Sequence, residues 1–141
     1  MRLLIDHQKG EVIRELAICF TGIRRIFPTL TAPAFALSLK RCWRILEGQV
    51  TKGFVMERKP DKCFVQFGST EILIAVDPVH RRQGVATWAM KQLLKGLDGA
   101  FLLVSPGNMP AFSLFSGIRG LVHVQDHPDA RVFIVRVNAE E

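Results

Sequence analysis

Between Val76 and Ala86 the chain reads Val-Asp-Pro-Val-His-Arg-Arg-Gln-Gly-Val-Ala. An apolar segment suited to a strand, Glu71 to Val76, precedes this turn. A segment with Val85, Ala89, Met90, Leu93 and Leu94 at helical spacing follows it. A basic, glycine-bearing turn that opens a helix points a row of free backbone N–H groups at one spot, with Arg81 and Arg82 beside it. The chemistry such a spot offers is anion binding, and a pyrophosphate suits it best.

Those residues need a scaffold, and the patterning supplies one. Arg2 to Ile5 fits a short strand. Val12, Ile13, Leu16, Ala17 and Phe20 predict a helix over Glu11 to Phe20, and Pro28 and Pro33 mark the loop after it. Phe35, Leu39, Cys42 and Leu46 recur at i, i+4, i+7 and i+11, which predicts a second helix with Lys40, Arg41 and Arg44 outward. Three strands are expected next, Gln49 to Glu57, Cys63 to Phe67 and Glu71 to Val76, with Lys59-Pro60-Asp61-Lys62 turning between the first two. A third helix spans Gly84 to Leu94, and Gly96 and Gly99 stop it. Ala100 to Val104 reads as a buried strand of the parallel kind. Met109 to Phe115 reads as a short helix, with Asn108 as its cap and Pro110 in the first turn. Leu121 to Val124 and Val132 to Val137 complete the set. The order β-α-α-β-β-β-α-β-α-β-β implies an α/β (α+β) fold: a mixed, mainly antiparallel central sheet with helices on both faces.

With 141 residues, the chain is expected to form a single domain over residues 1–141 and to bury a core without metal or disulfide staples. A hydrophobic share of 48% beside 23% charged residues reads as globular, and no apolar run reaches the roughly 18 residues of a membrane span. Charge within Met1 to Asp6 argues against a secretory leader. Cys19, Cys42 and Cys63 are isolated in apolar contexts, so buried thiols in a cytoplasmic protein are expected, and no Cys or His pair has metal-ligand spacing. Trp43 and Trp88 are expected in packing roles. The net charge of +6 is spread in small clusters, a balance that suits a polyanionic cofactor, an acidic acceptor or nucleic acid.

Two segments together resemble the GNAT superfamily of N-acetyltransferases. Arg81-Arg82-Gln83-Gly84-Val85-Ala86, behind Val76-Asp77-Pro78, is similar to that superfamily's Arg/Gln-x-x-Gly-x-Gly/Ala turn. Asn108-Met109-Pro110-Ala111-Phe112-Ser113-Leu114-Phe115 resembles its Asn-x-x-Ala-x-x-Leu-Tyr segment. The resemblance covers residues 70 to 118, with the N-terminal third matched by element order alone. It implies acetyl-CoA as cofactor, held at its pyrophosphate by the amides of Arg82, Gln83, Gly84, Val85 and Ala86. Thr87 would add a hydroxyl and Arg81 or Arg82 a charge. Asn108 and Phe115 would line the pantetheine arm, and Ala75 or Val76 would offer an N–H to the thioester carbonyl. Gly84 and Ala86 suit this because a larger side chain would block the phosphates.

The implied reaction is transfer of an acetyl group to an amine. By position, Glu71 matches the superfamily's general base. His123, on a late strand, could titrate near neutrality, and Ser113 could order a water. The chain has no tyrosine, and Phe115 stands where many members carry the tyrosine that protonates the departing thiolate. The Gly84-to-Asn108 spacing is short for the superfamily, as is the link after Phe115, so the flanking helices should be trimmed. The acceptor is expected at the first helices and late strands, where Arg24, Arg25 and Arg41 favour an acidic molecule. Modification of a nucleic acid, and non-catalytic CoA binding, remain alternatives, and the protein is expected to be a monomer or homodimer.

Overall fold

The computed structural model describes residues 1–5, 31–105, 107–128 and 130–136. Seven strands form one sheet in the order β1-β2-β3-β4-β5-β7-β6. They are β1 (Arg2–Ile5), β2 (Leu39–Glu47), β3 (Val50–Arg58), β4 (Glu71–Val76), β5 (Phe101–Val104), β6 (Leu121–His127) and β7 (Ala130–Val135). Helix α1 (Ala32–Ser38) precedes β2, α2 (Val85–Leu93) joins β4 to β5, and α3 (Met109–Ser116) joins β5 to β6. Every neighbouring pair is antiparallel except β4 and β5. The mixed, mainly antiparallel sheet is the expected fold class. The helix expected over Glu11 to Phe20 lies outside the described residues, as do Cys19, Arg24 and Arg25.

Two core clusters lie on opposite faces of the sheet. One packs Trp43, Ile72, Leu102 and Phe133 under Val85, Ala89 and Met90 of α2 and Phe115 of α3, with Trp88 partly buried at its edge. The other packs Phe54, Met56, Phe101 and Val132 under Phe35 of α1 and Phe64 of a 3-10 helix, Lys62–Phe67. Both tryptophans pack as expected. Burial of one such large apolar side chain stabilises the fold by about 1.5–3 kcal/mol.

Two expected elements are corrected. The second helix ends at Ser38, and Leu39–Glu47 is strand β2. This strand is flanked by β1 and β3 and covered on both faces, so Cys42 and Trp43 are buried side by side, as are Ile45 and Leu46. Register shifts at Leu39/Arg41 and Ile45/Leu46 break its alternation further, and the apolar spacing then imitates a helix. Cys63 to Phe67 is the 3-10 helix rather than a strand. Phe64 and Phe67, three residues apart, share its inner side (ring centroids 6.2 Å apart), with Cys63 and Val65 exposed. Cys42 is buried as expected and Cys63 is not. The two corrections offset each other, so from residue 31 onward the expected element order survives with different residues in its first two central strands.

Candidate active site

Strands β4 and β5 are in register only at Glu71↔Phe101 and Ile72↔Leu102. Beyond those pairs they part, and the sheet contains a notch closed at Glu71–Ile72 and open toward Val76. Which backbone groups line it follows from the ladder with β3. Asp77 donates its N–H to the Lys52 carbonyl at 2.9 Å, in register with Gly53↔Val76. Alternation then commits the amides of Ala75 and Leu73 to β3 and turns those of Ile72, Ile74 and Val76 toward β5. The Phe101 N–H, which donates to the Thr70 carbonyl at 3.1 Å, assigns the same set to that side. Of the expected pair, Val76 therefore faces the notch and Ala75 does not; Ile74 joins Val76. A Cβ at Gly53 would overlap the Ala75 carbonyl, so glycine permits the close approach of β3 and β4 there.

The turn at the open end is built by its own side chains. Asp77 Oδ1 accepts from the Val79 N–H at 3.1 Å, and its carbonyl accepts from the His80 N–H at 2.8 Å. Arg82 adopts φ 65°, a left-handed conformation uncommon for a non-glycine residue, and Gly84 follows at φ 75°. Gly84 is the N-cap of α2 and has no side chain to cap it, so the first amides of the helix receive no N-cap side chain. A Cβ at Gly84 would meet nothing within 4 Å: the space before the loop is open. Arg81, Arg82, Gln83 and Gly84 are exposed, Ala86 and Thr87 half-buried, and Val85 is anchored in the core. Arg81 Nε donates to the Val76 carbonyl at 3.3 Å, which ties that guanidinium to the mouth of the notch. Lys52 pairs with Glu47 and donates to Gln83 Oε1 at 3.3 Å, linking the β2–β3 hairpin to the loop. Neither Lys52 nor Arg58 carries a sequence signal that would have marked it beforehand.

Helix α3 starts as expected: Asn108 Oδ1 accepts from the Ala111 N–H at 3.3 Å, with Pro110 in the first turn. Phe115 is buried at 5% exposure with its ring 6.0 Å from that of Phe133, and Ser113 is exposed. Phe115 is thus a packing residue of the α2/α3 face.

The expected acid–base residues are not brought together. Glu71 alternates with Ile72 and lies on the α1 face, at the closed end of the notch, with 1% exposure. Arg58 Nη1 donates to its Oε1 at 3.2 Å. Burial pushes the Glu71 carboxyl up to about 7, against the opposing pull of Arg58. His123 lies on the other face. Its ring meets Phe112 edge-on at 5.2 Å and Phe133 at 5.3 Å. With β7 between β5 and β6, His123 is two strand spacings, about 10 Å, from β5. It is outside hydrogen-bonding reach of a group held in the notch. Arg41 Nη2 lies 2.6 Å from Glu57 Oε1, as an ion pair out of hydrogen-bond alignment, and its guanidinium is 5.0 Å from the Trp43 ring.

Among the described strands one parallel pair parts over a turn of exposed residues at the start of a helix, on a mixed sheet. Residues 13–118 match the model of the acetyltransferase (GNAT) family, and the chain belongs to that family. Diaminobutyrate acetyltransferase from Paenibacillus lautus, solved with L-2,4-diaminobutyric acid and coenzyme A, shares the fold with a TM-score of 0.62 at 17% identity, covering 99% of this chain and 98% of that one. The ribosomal-protein-S18-alanine N-acetyltransferase of Escherichia coli does so with a TM-score of 0.60 at 14% identity, covering 99% and 98%. The spermidine/spermine N-acetyltransferase of Vibrio cholerae also superposes with a TM-score of 0.60 at 14% identity, covering 99% and 100%. Among curated proteins none matches the sequence. No helix among the described residues is long and apolar enough to cross a membrane.

Proposed function

We propose that this protein is an acetyl-CoA-dependent N-acetyltransferase acting on a primary amine. The observation that carries the reading is the notch between β4 and β5, which ends at the uncapped start of α2. Its residues fit CoA. The open space before Gly84 admits a diphosphate, and the amides of Gln83, Gly84, Val85 and Ala86 supply donors for it. The Ile74 and Val76 amides match the amide spacing of a pantetheine arm laid along β4 as an extra strand.

Bound acetyl-CoA supplies an activated acyl group and a thiolate leaving group. The chain's own part is to bind, orient and move a proton. The backbone N–H of Val76 or Ile74 holds the thioester oxygen, a kind of contact worth about 2.7–4 kcal/mol in the transition state. Glu71, about 10 Å along β4 from Ile74, takes the proton of the incoming ammonium through a relay of waters, so that a neutral amine attacks. Among the described residues no side chain stands ready to protonate the thiolate: Phe115 has no hydroxyl, and His123 is too far. The proton that the amine nitrogen sheds as the C–N bond forms and the C–S bond breaks passes to the thiolate through water. The named relatives act on amines, which supports the acceptor class.

Four of the described cations are engaged within the fold rather than offered to a nucleic acid. Arg41, Lys52 and Arg58 are each paired with carboxylates, and Lys40 donates to the Ser69 carbonyl and the Thr70 hydroxyl. Thermal denaturation with and without acetyl-CoA tests the proposal. At one hundred times Kd the ligand should add about 2.7 kcal/mol of stability, a rise of several degrees. No shift at millimolar acetyl-CoA would exclude it.

A further inference from the structure

Arg58 is among the largest fully buried side chains in the described structure, at 1% exposure, and it stands directly across from Glu71 in the β3–β4 ladder. A buried cation is costly unless its donors are met. Nη1 donates to Glu71 Oε1 at 3.2 Å, Nη2 to Asp61 Oδ1 at 3.3 Å and Nε to Ser38 Oγ at 3.1 Å. Ser38 in turn donates to the Phe35 carbonyl at 2.6 Å, and the Phe35 ring lies 5.9 Å from the guanidinium. The fork is therefore locked by α1 and by the β3–β4 connection, and it presents one arm to Glu71.

The two carboxylates differ in setting. Glu71 is buried at the closed end of the notch, while the Asp61 side chain is 39% exposed at the surface. The neighbours on this face add no further charge beside Glu71 among the described residues: α1 brings Ser38, the 3-10 helix Phe67 and β5 Phe101. Lys40 on β2 reaches outward to Ser69 and Thr70.

We propose that Arg58 is a positioning residue for Glu71, orienting its carboxylate at the closed end of the notch, and that Asp61 is the outer counter-charge that limits how strongly Arg58 holds it. The proposal rests on the acetyltransferase reading for its catalytic consequence, but its electrostatic content stands by itself. Arg58 favours the ionised form of Glu71 and Asp61 disfavours it. The two substitutions must therefore act in opposite directions. Removing the cation raises the midpoint of Glu71, and removing the Asp61 charge lowers it.

The test is a carboxyl titration by NMR on protein with labelled glutamate side chains, with the Glu71 signal assigned by its loss in Glu71→Gln. It is read beside the pH profile of thiol release from acetyl-CoA. In Arg58→Met the ionised fraction at pH 7 should fall about tenfold or more. In Asp61→Asn it should rise, and Arg58→Lys should lie between wild type and Arg58→Met. The acid limb of thiol release should move with each midpoint. Should Arg58→Met not fold, Asp61→Asn at the part-exposed position decides the sign. Midpoints that move in the same direction, or not at all, overturn the proposal. Midpoints that move oppositely while the thiol-release limb stays put overturn the catalytic consequence. If the wild type neither binds nor turns over acetyl-CoA, the function proposed above has failed, and the titration still decides the pairing.

Discussion

Strand β4 enters the sheet beside a buried ion pair and leaves it beside a turn of exposed amides. At Glu71 the charged groups are side chains, closed in by α1, the 3-10 helix and β5. At Val76 the polar groups are backbone N–H and C=O, exposed because β5 has already parted from the strand. On the function proposed above, the difference teaches how one strand serves two tasks. A diphosphate brings its own charge and needs an open cradle with fixed donors, since a long side chain would have to be ordered and would fill the space. A base that must titrate near neutrality needs the reverse: enclosure that raises its affinity for a proton, and one fixed cation that keeps the shift within bounds.

If the two ends are separate devices, each can be broken alone. Gly84→Glu should have the largest effect. It forces a side chain into a left-handed position, φ 75°, and puts a carboxylate where phosphates would sit. Calorimetry with acetyl-CoA should show binding weakened by about two orders of magnitude or more, as a lost cradle and a like charge together imply. The Glu71 titration should stay unchanged.

Glu71→Gln should leave acetyl-CoA binding intact and lower turnover by about 10²–10⁴-fold. The same variant tests a stability effect whose sign is fixed. A carboxyl raised to about 7 in the folded state, from 4.5, binds more protons folded than unfolded between those values. Its contribution to stability is therefore full below pH 4.5 and is lost as the pH rises to 7, by up to about 3 kcal/mol. Urea denaturation at several pH values should show that slope in wild type and a flatter curve in Glu71→Gln.

Phe115→Tyr sharpens the comparison from the side. The ring is 5% exposed and packed on Phe133, so an added hydroxyl without a partner should cost about 1–3 kcal/mol of stability without raising turnover. A rise in turnover would show that the thiolate can be reached from that position. Asn108→Ala should have the smallest effect, about 1 kcal/mol in denaturant unfolding, from loss of the α3 cap.

The Arg81-to-Ala86 turn, the Asn108 cap and the β4 and β5 segments were all readable from local order, because each is decided by neighbours within one turn or one strand. Strand β2 was not. Its two-sided burial depends on β1, β3 and both cores, and Cys42 and Trp43 next to each other give no period to read. Arg58 carries no local signal either, for its partners come from α1, the β3–β4 connection and β4. Nor could sequence separate Glu71 from His123, since the sheet face and strand order that part them are long-range facts.

By itself the amino-acid sequence determined the Arg81-to-Ala86 turn, the helices α2 and α3, the class of fold and the want of a tyrosine. These follow from backbone preferences and side-chain types that act over a few residues. Tertiary structure decided that the notch closes at Glu71, that Val76 and Ile74 rather than Ala75 face it, and that Arg58 stands behind the carboxylate. Register, strand order and burial are set only when distant segments pack, and the direction of each amide and the proton affinity of Glu71 depend on them.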